Sequence, residues 1–172
     1  MKRLALFALI LAAMPAAADT AHHGQPYAGL DSREIKALAP EEIADLAAGR
    51  GMGLALAAEL NGYPGPRHVL DLAQELQLTE EQQQKTNALF EAMRAETSAL
   101  GAELIEAERA LDRLFAEKRA TPETVAAATE RAARSKRSCG AAHLRYHLAM
   151  IDVLTTDQVM AYNHLRGYAT HH

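Results

Sequence analysis

The chain has 172 residues, a formal charge of −4, one cysteine and no tryptophan. An acidic balance argues against nucleic acid as a partner, and the lone Cys139 excludes an internal disulfide. Few aromatics beside abundant Ala, Leu and Glu point to long helices around a thin core.

Met1-Lys2-Arg3 is a short basic start, followed by the uncharged apolar run 4-LALFALILAAM-14. At about 11 residues the run is too short to span a bilayer comfortably. Pro15 and the small residues Ala16 to Ala18 supply a cleavage site. Residues 1–18 therefore read as a secretory signal peptide cut after Ala18, and the mature chain as exported. In a bacterium with two membranes the destination is the periplasm. Loss of Lys2 and Arg3 takes the formal charge from −4 to about −6. Residues 19–30 read as a flexible arm, and 31–172 as a single helical domain.

No run shows the alternation of a strand. A first helix is expected to start near Ser32, to be interrupted near Pro40, and to continue through Ile43, Leu46, Leu54 and Leu56. The glycines of 49-GRGMG-53 predict a bend, since each costs about 1 kcal/mol relative to Ala in a helix interior. The stretch 61-NGYPGP-66 stops that helix, and 67-RHVLDLAQEL-76 reads as a short one.

The next segment opens on 78-LTEEQ-82, a phrase that returns as 154-LTTDQ-158. In each, a Thr stands at an N-cap and a Gln three residues on, Thr79 with Gln82 and Thr155 with Gln158. This is the capping-box pattern, with Leu78 and Leu154 as apolar residues just ahead of it. From the first cap a helix is predicted to Arg119, about 60 Å long. Phe90, Met93, Thr97, Leu100, Leu104, Ala107, Leu111 and Leu114 form its seam at alternating spacings of three and four. The start signal 121-TPE-123 opens a second long helix to Val153, whose seam is mostly small residues. The two form an antiparallel hairpin, and the second cap starts a last helix from Thr155 to Tyr168.

Two LTxxQ phrases bracketing a helical hairpin behind a signal peptide resemble the Spy/CpxP family of periplasmic proteins, over roughly residues 66–168. That resemblance implies a thin, curved all-α hairpin with flanking shorter helices that pairs into a cradle-shaped homodimer. It implies one of two functions. The main expectation is ATP-independent, chaperone-like binding of unfolded envelope proteins under envelope stress. The alternative is binding or sensing of a heavy metal such as Zn, Cu, Ni or Co, as in the family's metal-resistance relatives. The glycine-rich segment 49-GRGMGLALAAELNGYPGP-66 looks more like those relatives. A sensor-kinase or anti-sigma-type signalling partner is a further implication. The acidic charge of this chain departs from the basic concave face of the family's chaperones.

The residues that carry metal chemistry lie in 139-CGAAHLRYHLAM-150. Cys139, His143 and His147 recur every fourth residue on one face, and Met150 continues the stripe. Thiolate, imidazole and thioether suit soft or borderline ions, Cu(I) and Zn(II) among them. Cys139 and Met150 are about 16 Å apart along the axis, too far for one centre. One ion would thus use His143 and His147, one of Cys139 or Met150, and a donor from elsewhere. Glu59, His68 and Met52 are the nearest by type if the first helix folds back. Cys139 and Met150 fit the hairpin core equally well, and the histidines fit as polar side chains without a ligand. The pairs His22-His23 and His171-His172 read as exposed or weakly metal-binding. Leu89, Phe90, Met93 and Leu100 are the candidates for a client-binding stripe, with hairpin core or dimer interface as their other reading. No G-x-S-x-G, Walker loop, dinucleotide fingerprint or H-E-x-x-H occurs. Cys139 and His143 inside a helix would lack free N–H groups for an oxyanion. An enzyme is not expected, nor a required cofactor.

Overall fold

The computed structural model describes residues 26–168. The expected signal peptide and the four terminal histidines lie outside the described residues. Among the described residues there are six α-helices, one 3-10 turn at Leu30–Ser32, and no strand. None of these helices is long and apolar enough to cross a membrane.

Two helices dominate. α4 (Glu80–Ala116) runs 37 residues, about 55 Å at 1.5 Å per residue. α5 (Pro122–Ile151) returns along it. Gln82 of α4 bonds the carbonyl of Val153 just beyond α5, and Glu96 pairs with Arg145, which fixes the antiparallel sense. Both helices begin as their sequences predict. Thr79 Oγ1 accepts from the N–H of Gln82 at 3.2 Å, and Gln82 Oε1 accepts from the N–H of Thr79 at 3.0 Å. Thr121 caps α5 with Pro122 at the first helical position, where a missing N–H costs nothing. α6 (Thr156–Leu165) repeats the first device through Thr155 and Gln158. The seam is sound at its centre: Met93, Thr97, Leu104 and Ala107 of α4 and Ala132, Ser135, Cys139 and Ala142 of α5 are buried.

Three short helices cover one half of the hairpin: α1 (Pro40–Ala47), α2 (Leu56–Glu59) and α3 (Pro66–Asp71). α1 presses on α4 at Gly101, where a Cβ would stand 2.1 Å from the carbonyl oxygen of Leu46. Any side chain at 101 would push α1 away. Two cores result. One joins Val69, Leu76, Leu78, Met150, Leu154 and Tyr162 at the end where α4 begins. The other joins Ile35, Leu46, Leu104, Ile105 and Cys139 further along. From Glu108 round the tip to Arg131 no residue is buried.

The expected first helix is shorter than its sequence pattern. Only one 3-10 turn forms near Ser32, and Arg33 is already extended. Pro40 disfavours a helical residue before it, and Ala39 is extended accordingly, its N–H held by the Glu42 carboxylate at 2.7 Å. α3 stops at Asp71, five residues short of expectation. The chain there must turn to bring Leu76 and Leu78 into the core, with Gln77 in the left-handed region at φ 50°. α6 likewise stops at Leu165, ahead of Tyr168.

Candidate metal centre

The four residues of the α5 stripe share one face and all are buried. Packing divides them. Cys139 belongs to the core with Ile35 and Leu104, and Met150 to the core with Val69 and Tyr162. His143 and His147 fall between the two cores, where both line a cavity of about 740 Å³. Glu59, His68 and Met52 line it too, so the first helices do fold back onto the hairpin. Phe90 and Met93 of α4 complete it. Of the residues named from sequence, the structure thus brings together His143, His147, Glu59, His68 and Met52. It places Cys139 and Met150 in the flanking cores instead.

His147 is positioned by backbone. Its Nδ1 lies 2.7 Å from the carbonyl oxygen of Tyr63. A carbonyl only accepts, so Nδ1 carries a proton and donates. The ring rests against Gly65, where a Cβ would stand 2.9 Å from ring atoms. Only glycine lets the 61-NGYPGP-66 loop come this close. His143 sits against Gly51 and is 4% exposed. Burial, and then the charge of neighbouring His147, push its pKa below the ordinary histidine value, so it favours the neutral imidazole.

Glu59 is the most heavily engaged side chain of the cavity wall. It is 5% exposed. It accepts from Tyr162 Oη, from Tyr168 Oη at 3.0 Å, and from the N–H of Gly65 at 3.2 Å. His68 Nδ1 lies 3.2 Å from it and Arg166 Nε 3.6 Å. Burial alone would raise its pKa. The hydrogen bonds of His68, Tyr162 and Tyr168 and the charge of His68 outweigh burial and hold it at about 2. An ionised carboxylate accepts, so His68 donates through Nδ1. Among the described residues no three His, Cys, Asp or Glu side chains stand together as a ready metal cluster.

Sequence reasoning missed Met93 as a wall of this cavity, because its seam position reads equally well as core. It also missed Tyr162, Tyr168 and Arg166 as partners of Glu59. No local pattern connects residues about a hundred positions apart, and only the fold brings them together.

Residues 46–161 match the family of heavy-metal resistance proteins. The chain belongs to that family. The match to heavy-metal resistance covers both LTxxQ phrases and every cavity residue named above, and it bears out the Spy/CpxP-like resemblance together with its metal-resistance relatives. No curated protein and no solved structure matches the chain.

Proposed function

We propose that this protein is exported to the periplasm and there binds or senses a heavy metal, Zn, Cu, Ni or Co, in the cavity between its two cores. One observation carries the reading: His143, His147 and His68 line a single cavity, inside the span that matches heavy-metal resistance. The chemistry of these donors fits. Two of the three histidines give their Nδ1 proton to an oxygen acceptor, Tyr63 carbonyl for His147 and Glu59 carboxylate for His68. Such partners orient metal-binding imidazoles and raise their basicity. The third, His143, is kept neutral by burial, and a neutral ring is what a metal requires. Glu59 serves as the anchor of His68. Cys139, its thiol pushed up by burial, stays in the core.

The client-binding reading has less support. Of its four proposed carriers, Leu89 and Leu100 pack against the cores, Met93 is buried, and Phe90 lines the cavity. The chain's own short helices cover that stripe.

Calorimetric titration of the full chain with Zn(II), Cu(II), Ni(II) and Co(II) tests the proposal against the variant His143→Ala/His147→Ala. The variant keeps His22, His23, His171 and His172, so binding at the chain ends is common to both. Affinity for at least one metal should fall about tenfold or more, with helix content unchanged. Equal binding by both proteins for every metal would overturn the reading.

A further inference from the structure

The cavity holds two thioethers beside its imidazoles, and they differ in setting. Met93 comes from α4 and is 8% exposed. Met52 comes from the loop opposite and is 40% exposed. Met52 also has φ 45°, a left-handed backbone that a residue with a side chain seldom adopts. Such strain persists only where the surroundings hold it, and it concentrates at binding sites. Met52 follows Gly51 directly, and a Cβ at Gly51 would stand 3.6 Å from the His143 ring. Met52 thus lines the same cavity one residue beyond the glycine that faces that imidazole.

The oxygen chemistry of the same cavity is already committed. Glu59, its carboxylate, is tied to two tyrosine hydroxyls, a backbone N–H and His68. Freeing it for a metal would leave the buried Tyr162 hydroxyl and the half-buried Tyr168 hydroxyl without an acceptor. The uncommitted donors are imidazole nitrogen and thioether sulfur. Sulfur ligands of this kind select soft monovalent ions, while harder divalent ions favour more nitrogen and oxygen.

Resting on the reading of the cavity as a metal site, we propose that its cargo is a soft monovalent ion, Cu(I) or its redox-stable analogue Ag(I). Met52 and Met93 confer that preference alongside His143 and His147. Met52, on the more exposed side, receives the ion. Met93 holds it against the hairpin.

The experiment uses the full chain with Ag(I), and with Cu(I) under anaerobic conditions against a chromogenic Cu(I) chelator. Met52→Leu/Met93→Leu conserves volume and keeps the hairpin seam apolar. Ag(I) and Cu(I) affinities should fall at least about tenfold in this variant while Zn(II) affinity stays within about twofold. Methyl-labelled methionine gives a second readout that needs no substitution. On adding Ag(I), the Met52 and Met93 methyl resonances should shift and that of Met150, sealed in its core, should not. Cys139→Ala should leave Ag(I) affinity unchanged. The inference is overturned if the Met variant binds Ag(I) and Cu(I) like the wild type, if the Met150 methyl shifts in place of Met52 and Met93, or if Cys139→Ala abolishes binding. In those cases a loss of affinity in His143→Ala/His147→Ala would still leave the cavity as a metal site of different preference. Unchanged metal binding in that variant would remove both readings together.

Discussion

Gln82 and Gln158 hydrogen-bond each other through their side-chain amides, 2.7 Å from Gln82 Nε2 to Gln158 Oε1 and 3.0 Å in the other direction. Each amide oxygen also accepts the N–H of its own N-cap threonine. Each amide nitrogen also reaches the backbone ahead of the other phrase, Gln82 to Val153 O and Gln158 to Leu76 O. The LTxxQ phrase therefore occurs twice because its two copies clasp one another. The clasp ties the start of α4 to the start of α6, beside the core of Leu78 and Leu154.

Gln82→Ala and Gln158→Ala should each destabilise the protein by ~1–3 kcal/mol, since each leaves partly buried partners unpaired. The double variant should lose less than the two single losses combined, with a coupling of about 1 kcal/mol. A double-mutant cycle in urea checks this. Simple additivity would mean that the two amides act only as separate caps.

Thr79→Ala and Thr155→Ala remove the other half of each capping box. Each should cost about 1 kcal/mol, the usual loss of an N-cap side chain. Urea midpoints at constant slope measure it, and losses near zero would assign all of the phrase's value to the glutamines.

Glu59 sets an acid limit on stability. Its folded pKa of about 2 lies below the reference value of 4.5, so the folded state favours the ionised form. The resulting stabilisation is fully present above pH 4.5 and is lost as pH falls toward 2, as the carboxylate takes up its proton. In metal-free protein it amounts to ~3 kcal/mol. Glu59→Gln should be less stable at neutral pH and should lack this dependence on acid. Stability curves for the two proteins that run parallel from pH 5 to pH 2 would contradict the account.

Gly101→Ala should be among the most damaging single substitutions in the chain. Its Cβ would meet the Leu46 carbonyl, and backbone cannot swing aside as a long side chain can. A loss of ~2 kcal/mol or more is expected as α1 lifts from α4. Thermal melts check the size of the loss. A variant as stable as the parent would show that α1 sits there without tight contact.

A homodimer is expected from the family resemblance. Leu148, Phe115 and Leu165 are 45–59% exposed, leaving apolar surface for a second copy. Sedimentation velocity at micromolar concentration should give a dimer, and a stable monomer would rule it out.

The helices that could be read in advance are those fixed by neighbours in sequence. Thr79 and Gln82, or Thr121 and Pro122, settle where a helix begins without help from the rest of the chain. The α5 stripe was legible for the same reason, because helical periodicity alone puts Cys139, His143, His147 and Met150 on one face. Their separate fates were not. Whether a stripe residue meets core or cavity depends on where α1, α2 and α3 land, and that depends on close approaches at Gly65 and Gly101. The Glu59 network is further from view, since Tyr162 and Tyr168 lie beyond the second LTxxQ phrase and come back to α2 only through the fold.

The bare hairpin tip gives the molecule a gradient of rigidity. At one end the clasp and two cores hold α4 and α5 together. Between Glu108 and Arg131, beyond the pairs of Arg109 with Glu34 and of Asp112 with Lys36, the helices rely on their own hydrogen bonds and side-chain pairs. Local opening is cheapest where few apolar contacts must be broken. Backbone amides near the tip should therefore exchange with deuterium first, and protection should climb steadily toward Met93 and Met150. A protease meeting the folded protein would find its first foothold around Lys118 and Arg119, and the cut would leave the cavity and the clasp on one intact, still-folded body.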